Sequence, residues 1–532
     1  HSKTYLSEKE LGYCRNDIEV VNAYINEQIK QYGNITKIPL TNTGRVRNYV
    51  RNRCYYGSEK RTKKHSNGRY SRYRKLMNDL TLSKDEYVLL KRSFMGGFTH
   101  ANANYVGKTL KQVSSYDFTS SYPATMLSEK FPMSVPFNIE IKNKHDFDVA
   151  LNKYCLVFDV KFHNLKAKIY QDNYLSESKC SIVQNPIINN GRIFSADLIE
   201  TTITDVDFKI MSLAYDWSGM EVKNVTGFRK AYLPKAIIES ILALYQDKTS
   251  LKGVEGSEVE YLLSKGMLNS IYGMSVTDIV QDNHTYEEEW GVELANVDEQ
   301  IEAYNNSKTR FLYYAWGVWI TAYSRANLWT GIINIGDDYI YSDTDSIKLL
   351  NHEKHRGYFE AYNKRVTQKL EQTLTYYNLN LNLLKPKTIE GVEKPIGVWD
   401  YEGTYSRFKT LGSKRYLIEE NNKLELTVAG LSKRNGVEYL LEQANGDNTK
   451  VFNSFNDNMY IPADRTGKNT HTYIDESIEL TIHDYLGKVH TFTSLSGIHL
   501  ESAEYTLSIS KQYGMFLNNL TKGYLYKGVK YV

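Results

Sequence analysis

No stretch of this sequence approaches the roughly 18 consecutive apolar residues of a membrane span. No basic segment followed by an apolar core opens it, so no secretory signal is visible. Cysteine is scarce. Its four residues, Cys14, Cys54, Cys155 and Cys180, lie far apart and form no C-x-x-C pair. That argues against zinc and disulfide frameworks and fits a reducing compartment. No internal repeat of fixed period is visible, which excludes solenoids and propellers. Charge of one sign is not in excess, the net value being only +4. What is present is a soluble, globular composition, 41% hydrophobic and 24% charged. The 532 residues are enough for several subdomains, at roughly 100–200 residues each.

The distribution of charge says more than its sum. Residues 45–75 hold twelve Lys or Arg and one acid, Glu59, with Tyr49, Tyr55, Tyr56, Tyr70 and Tyr73 interleaved. Cations that neutralise phosphates, beside rings that stack on bases, suit nucleic acid; a solvated loop accounts for the same composition. The chain opens without a convincing first element, and residues 31–75 read as polar and loop-like. Ile18, Val21, Ile25 and Ile29 mark a helix over 16–31. Further helical patterns cover 83–93, two segments of 234–273 around the Gly253–Gly256 turn, and an aromatic-rich stretch at 311–333. Strand patterns occupy 113–118 and 153–163. Tyr339-Ile340-Tyr341 and the pair Ile347 and Leu349 flank a tight polar turn, a hairpin signal. Residues 279–308 are acidic and include Glu287, Glu288 and Glu289. Strands and helices are interspersed rather than alternating, which predicts an α+β fold.

Three stretches carry chemistry. In Asp117-Phe118-Thr119-Ser120-Ser121-Tyr122-Pro123 an acid ends a strand, and a tight turn and a helix start follow. Turn and helix N–H groups cradle phosphates, while the carboxylate reaches a divalent cation; capping alone is the bland reading of such an Asp. In Lys265-Gly266-Met267-Leu268-Asn269-Ser270-Ile271-Tyr272-Gly273, residues 265, 269 and 272 share one helix face. That face offers a cation for a triphosphate, an amide and a ring; a plain amphipathic helix has the same pattern. Leu268 and Ile271 point to the core, and Gly273 lets the helix end or another backbone approach. In Tyr341-Ser342-Asp343-Thr344-Asp345-Ser346, two carboxylates flank one threonine. Like charges this close repel, and a hard cation such as Mg²⁺ resolves the conflict; an exposed turn avoids it.

In this order the motifs D-x-x-S-x-Y-P, K-x-x-x-N-S-x-Y-G and Y-x-D-T-D-S resemble the three signature motifs of family-B DNA polymerases. Phe94-Met95-Gly96-Gly97 resembles the family's Y-x-G-G link, with Phe for Tyr. Lys414-Arg415-Tyr416 resembles its primer-gripping K-x-Y motif, and Ile320–Arg325 its helix before the D-T-D hairpin. The resemblance covers roughly residues 90–420. It implies a right-hand polymerase fold and template-directed addition of dNTPs to a primer 3′-OH with two Mg²⁺ ions, Mn²⁺ being able to substitute. Asp117 and Asp345 would bridge the ions, the Phe118 carbonyl would be a further ligand, and Asp343 a supporting carboxylate. Ser120, the Ser121 and Tyr122 N–H groups and Lys265 would hold the triphosphate, and Tyr122 would exclude a 2′-OH. Asn269 and Tyr272 would line the base-pair pocket. Thr344, Lys414, Tyr416, Gly96 and Gly97 would grip primer and DNA. Either Lys248 or Lys252 would add a further cation.

The long interval between Asp117 and Lys265, and Thr201–Phe208 within it, are similar to protein-primed members from small phages with linear, protein-capped genomes. Expected divisions are an exonuclease remnant (1–45), a basic connecting segment (46–92), palm (93–167 and 311–405), a first terminal-protein-region insertion (168–226), fingers (227–275), a second such insertion (276–310), and thumb with C-terminal region (406–532). Tyr13 and Asp17 resemble the motif closing a 3′–5′ exonuclease site, whose earlier motifs are expected upstream. Asp17-Ile18-Glu19 fits D-x-E but lies on a helical pattern. The expectation is a monomer in the infected host's cytoplasm, without membrane contact, that polymerises and displaces strands but does not proofread. Its partners would be template, primer, dNTPs and a terminal protein. A nucleic-acid-primed enzyme and an inactive DNA-binding scaffold are the competing readings; the presence of Asp117, Asp343, Asp345 and Lys265 speaks against the scaffold.

Overall fold

The strand Leu110–Phe118 organises the molecule. Its residues Val113 to Tyr116 are all buried, so it is covered on both faces rather than one. The computed structural model describes residues 7–57, 63–169, 171–286, 290–474, 478–483, 489–494 and 497–523. Among them, this strand is the middle of a seven-stranded antiparallel sheet. The order is Thr99–Ala101, Tyr339–Asp343, Ser346–Leu349, Leu110–Phe118, Trp399–Gly412, Arg415–Glu420 and Lys423–Val428. Alternation along the central strand sends Tyr116 and Phe118 to one face. There Tyr116 stacks on Phe359 of the helix His352–Tyr376, and Phe118 on Trp399, with centroids 3.8 and 3.6 Å apart. Asp117 is thereby left to the opposite face.

A second antiparallel sheet runs Phe137–Asn138, Gly219–Phe228, Cys155–Ala167, Arg192–Thr204 and Cys180–Gln184. The helix Tyr314–Ile335 joins the two sheets. Trp316, Trp319, Ile320, Leu328 and Trp329 are all buried, so it is apolar around its circumference rather than along one stripe. Its buried Arg325 pairs with buried Asp207 at 2.6 Å, and Trp319 Nε1 donates to Asp205 at 2.8 Å. Thr204 and Asp207 also form the capping box that starts the helix Asp205–Ala214. The stretch Thr201–Phe208 is thus a latch between this sheet and the central helix.

The mixed helix and sheet content is that of an α+β fold, as the sequence predicts. No helix among the described residues is long and apolar enough to cross a membrane. Several sequence expectations need correction. The chain does have a first element before residue 16: a helix spans Glu8–Tyr32, opened by a Ser7–Glu10 capping box and closed by Gly33 at φ +79°. Nor are most of the described residues of 31–75 loop-like. Helices cover Asn42–Tyr56 and Lys63–Asp79, because Val46, Val50 and Cys54, with Tyr73 and Met77, form buried stripes at helical spacing under a cationic surface. Two of their tyrosines are structural rather than free to stack on bases. Tyr55 and Tyr73 are buried, and the Tyr73 hydroxyl donates to the Phe311 carbonyl at 2.8 Å. Arg45 is buried as well and donates to Gln28, Tyr24 and Tyr32. Glu59 lies outside the described residues, as do Glu287, Glu288 and Glu289. The strand Cys155–Ala167, grouped by sequence with residues 93–167, pairs within the second sheet. The strand Trp399–Gly412 runs across the expected boundary at 405/406.

Candidate active site

The hairpin Tyr339–Leu349 and the central strand bring the acidic motifs together. Ser346 pairs with Asp117 across the ladder, and the Phe118 N–H donates to the Asp345 carbonyl at 2.8 Å. Asp117 and Asp345 are both half-buried, and their pKa values rise to about 7 and about 6. Burial is the largest cause for each. The next is a like charge, Asp345 acting on Asp117 and Asp343 on Asp345. Asp343 is held by two hydroxyls, Thr99 at 2.7 Å and Thr344 at 3.1 Å. The hairpin turn forces Thr344 to φ +55°, costly for a β-branched residue. Its N–H is fixed by the Phe98 carbonyl at 2.7 Å. Gly97 sits against this turn: a Cβ there would lie 2.7 Å from Thr344 Oγ1 and 3.0 Å from the Tyr122 hydroxyl. Gly96 is tied down through its carbonyl, which accepts from Arg325 at 2.9 Å.

Next to the acids lies the turn into the helix Ser121–Ser128. Ser120 adopts the left-handed conformation, φ +59°, and the helix start carries no side-chain cap. Its first N–H groups are therefore available to an anion. The Ser121 hydroxyl is paired with Ser324 at 2.8 Å, so Ser121 offers the site its backbone. Of the two lysines left open by sequence, Lys248 lies at this turn, its Nζ donating to Ser120 Oγ at 3.1 Å, whereas Lys252 is exposed at the end of the helix Lys235–Leu251. Burial, then the Lys265 charge, lower the Lys248 pKa, while Asp117 and Asp345 raise it. Lys265 and Asn269 are exposed along the helix Glu258–Gly273, and Leu268 and Ile271 are buried. Tyr272 stacks on Tyr122 at 4.3 Å. A Cβ on Gly273 would meet nothing within 4 Å; the close backbone approach is at Gly317, where a Cβ would lie 3.0 Å from the Ser275 carbonyl.

Lys414 lies in the turn between the strands Trp399–Gly412 and Arg415–Glu420 of the same sheet, and Tyr416 on the second of them. The Lys414 N–H donates to the Tyr341 hydroxyl at 3.0 Å, and Tyr416 meets the Tyr341 ring edge-on at 5.1 Å. Tyr13 and Asp17 do not join the cluster; they are exposed on the helix Glu8–Tyr32. Two polar groups were missed by sequence. Buried Lys348 lowers the pKa of both Asp117 and Asp345, and Glu402 raises them. Ser115 bonds both, at 2.5 Å to Lys348 and 2.7 Å to Glu402. A lysine within the apolar run Ile347–Leu349 was the available signal.

Among the described residues, no three His, Cys, Asp or Glu side chains form a ready-made metal cage. The donor set instead suits Mg²⁺, which takes one or two carboxylates plus substrate phosphates. Two half-buried carboxyls that resist ionising side by side are what such a cation relieves.

The family model described as "DNA polymerase type B, organellar and viral" matches residues 1–362. The DNA polymerase of Bacillus phage B103 is 24% identical over 422 residues, 77% of this chain and 60% of that protein. That of Bacillus phage phi29 is 25% identical over 364 residues, covering 65% and 52%. The chain thus spans 60% or less of the length of these curated relatives. In fold, the chain matches a solved structure of phi29 DNA polymerase complexed with primer-template DNA, with TM-score 0.60 and 17% identity over 95% of this chain and 73% of that one. A ternary complex of the same enzyme with incoming nucleotide substrates gives 0.56 and 18%, with the same coverage.

Proposed function

The chain belongs to the type-B DNA polymerases of organellar and viral origin, and from that membership we propose that it adds deoxynucleotides to a primer 3′-OH under the direction of a DNA template. The observation that carries the reading is the juxtaposition of Asp117, at the end of the central strand, with Asp345 in the turn of the neighbouring hairpin, beside the uncapped helix start at Ser121 and Lys248.

In the proposed reaction the primer 3′-hydroxyl gives up its proton to solvent as its oxygen bonds to the α-phosphorus of a dNTP, the α–β phosphoanhydride bond breaks, and pyrophosphate leaves. Asp117 and Asp345, with the Phe118 carbonyl, would hold divalent cations, Mg²⁺ or Mn²⁺, which supply Lewis acidity to the reacting phosphoryl group. Asp343, braced by Thr99 and Thr344, adds negative charge beside them. Lys248 and Lys265 bind the triphosphate with the Ser121 and Tyr122 N–H groups, so that positioning and charge stabilisation do the catalytic work. The Tyr122 ring, backed by Tyr272, closes the sugar side against a 2′-OH. Lys414 and Tyr416 hold the primer strand next to Thr344. The expected divisions into palm, fingers, thumb and two insertions are part of this proposal, except that the strand Cys155–Ala167 goes with the second sheet and the boundary at 405/406 moves beyond the strand Trp399–Gly412.

Extension of a primed template with Mg²⁺ tests the reading, with and without a downstream strand to displace. Asp345→Asn should lower extension by about 10³-fold or more, the several kcal/mol of charge stabilisation a metal site provides, and leave DNA binding near normal. Undiminished extension by that variant overturns the assignment. Priming from a protein hydroxyl is the finer part of the proposal. A covalent adduct of labelled dAMP with a cognate terminal protein supports it, and its absence favours a nucleic-acid-primed enzyme.

A further inference from the structure

The strained turn Thr119–Ser120 is held from two sides, and one of them involves no motif residue. The loop 394–398 clasps Thr119. The Thr119 N–H donates to the Val398 carbonyl at 3.0 Å, and the Gly397 N–H donates to the Thr119 carbonyl at 2.8 Å. The Thr119 hydroxyl donates to the Pro395 carbonyl at 2.7 Å and accepts from the Val398 N–H at 3.0 Å. This loop is in turn fastened to the helix Lys235–Leu251. The hydroxyl of Tyr245, buried at 3% exposure, donates to the Lys394 carbonyl at 3.0 Å and reaches the Pro395 carbonyl at 3.4 Å. Tyr245 stands one turn before Lys248, whose Nζ holds Ser120. One helix therefore grips the turn twice: directly at Ser120, and through the loop at Thr119.

We propose that Tyr245 is a positioning residue for the triphosphate of the incoming dNTP, setting the turn Thr119–Ser120 at a fixed distance from the lysine-bearing helix by tying that helix to the loop 394–398. This rests on the polymerase reading above. Ser120 at φ +59° lies in a sparsely populated region that persists only when its surroundings over-determine it. The bonds between Thr119 and the loop, with the Tyr245 hydroxyl, supply that constraint. Releasing it lets the turn relax, and the Ser121 and Tyr122 N–H groups then drift from the phosphates they would bind. Tyr245 touches neither substrate nor metal; its effect is on the place of the turn.

The test compares Tyr245→Phe, which removes only the hydroxyl, with Tyr377→Phe. Tyr377 donates an equivalent hydrogen bond to the Leu233 carbonyl, at 2.8 Å, next to the start of the same helix but away from the turn. Single-nucleotide insertion on a primed template is measured with dNTP varied, alongside amide exchange in peptides covering 116–124 and 394–399. Tyr245→Phe should raise the dNTP KM roughly five- to tenfold, the effect of one buried hydrogen bond, with kcat within about twofold. Primer–template affinity should not change, exchange should accelerate in both peptides, and Tyr377→Phe should do neither. An unchanged dNTP KM, or a rise that Tyr377→Phe reproduces, overturns the proposal. Should the unaltered chain fail to extend a primer, the polymerase reading falls; unchanged exchange in Tyr245→Phe would then overturn the brace itself, and accelerated exchange would uphold it.

Discussion

Gly97 lies so close to Thr344 that a β-carbon on it would sit 2.7 Å from the threonine hydroxyl oxygen and 2.9 Å from its methyl. Thr344 cannot yield, because its backbone is already held at φ +55° by the Phe98 carbonyl. Gly97→Ala should therefore push the turn carrying Asp343 and Asp345 out of place. The expected result is a fall in kcat of at least about tenfold, with a stability loss of only about 1–3 kcal/mol, typical of overpacking. Primer extension and a thermal melt on the same preparation check it.

Charge at the acidic pair gives a pH dependence of stability. Folding raises the Asp117 and Asp345 pKa values from 3.8 to about 7 and about 6. A carboxyl with a raised folded-state pKa binds its proton more tightly when folded. Its contribution is therefore most favourable at low pH and is lost as pH rises from about 4 through 7. Asp117→Asn escapes this penalty. Its Tm should exceed that of the unaltered chain by a few degrees at pH 8 and by less at pH 5. Millimolar Mg²⁺ at pH 8 should raise the Tm of the unaltered chain more than that of the variant, since binding to the folded state alone stabilises it.

The Arg325–Asp207 pair is buried on both sides, and Arg325 also holds the carbonyls of Met95 and Gly96. Arg325→Met leaves a buried carboxylate without its partner and should cost about 3–5 kcal/mol. Combining it with Asp207→Leu should cost less than the two single changes summed. Urea midpoints of the four proteins measure the coupling.

Lys248 and Lys252 should separate in kinetics. A hydrogen bond to a charged group contributes about 1.5–3 kcal/mol, so Lys248→Ala should raise the dNTP KM by about tenfold or more. Lys252→Ala, exposed at the helix end, should change it by less than about threefold. Steady-state insertion at varied dNTP discriminates them.

The sequence by itself determined the local pieces. Apolar spacing and the three motifs are patterns of neighbours in the chain, and helix and strand formation respond to such short-range patterns. The helix Glu258–Gly273 and the hairpin Tyr339–Leu349 were legible for that reason. Where outer-face cations dominated composition, as over 42–79, the buried stripe of Val46, Val50 and Cys54 was obscured. Only tertiary structure decided which strands share a sheet, that Cys155–Ala167 belongs to the second one, and that Lys248 rather than Lys252 meets Ser120. It also decided that Lys348, Glu402 and Tyr245 surround the site. These are contacts between residues distant in sequence, and their energies come from burial and charge that no local pattern encodes.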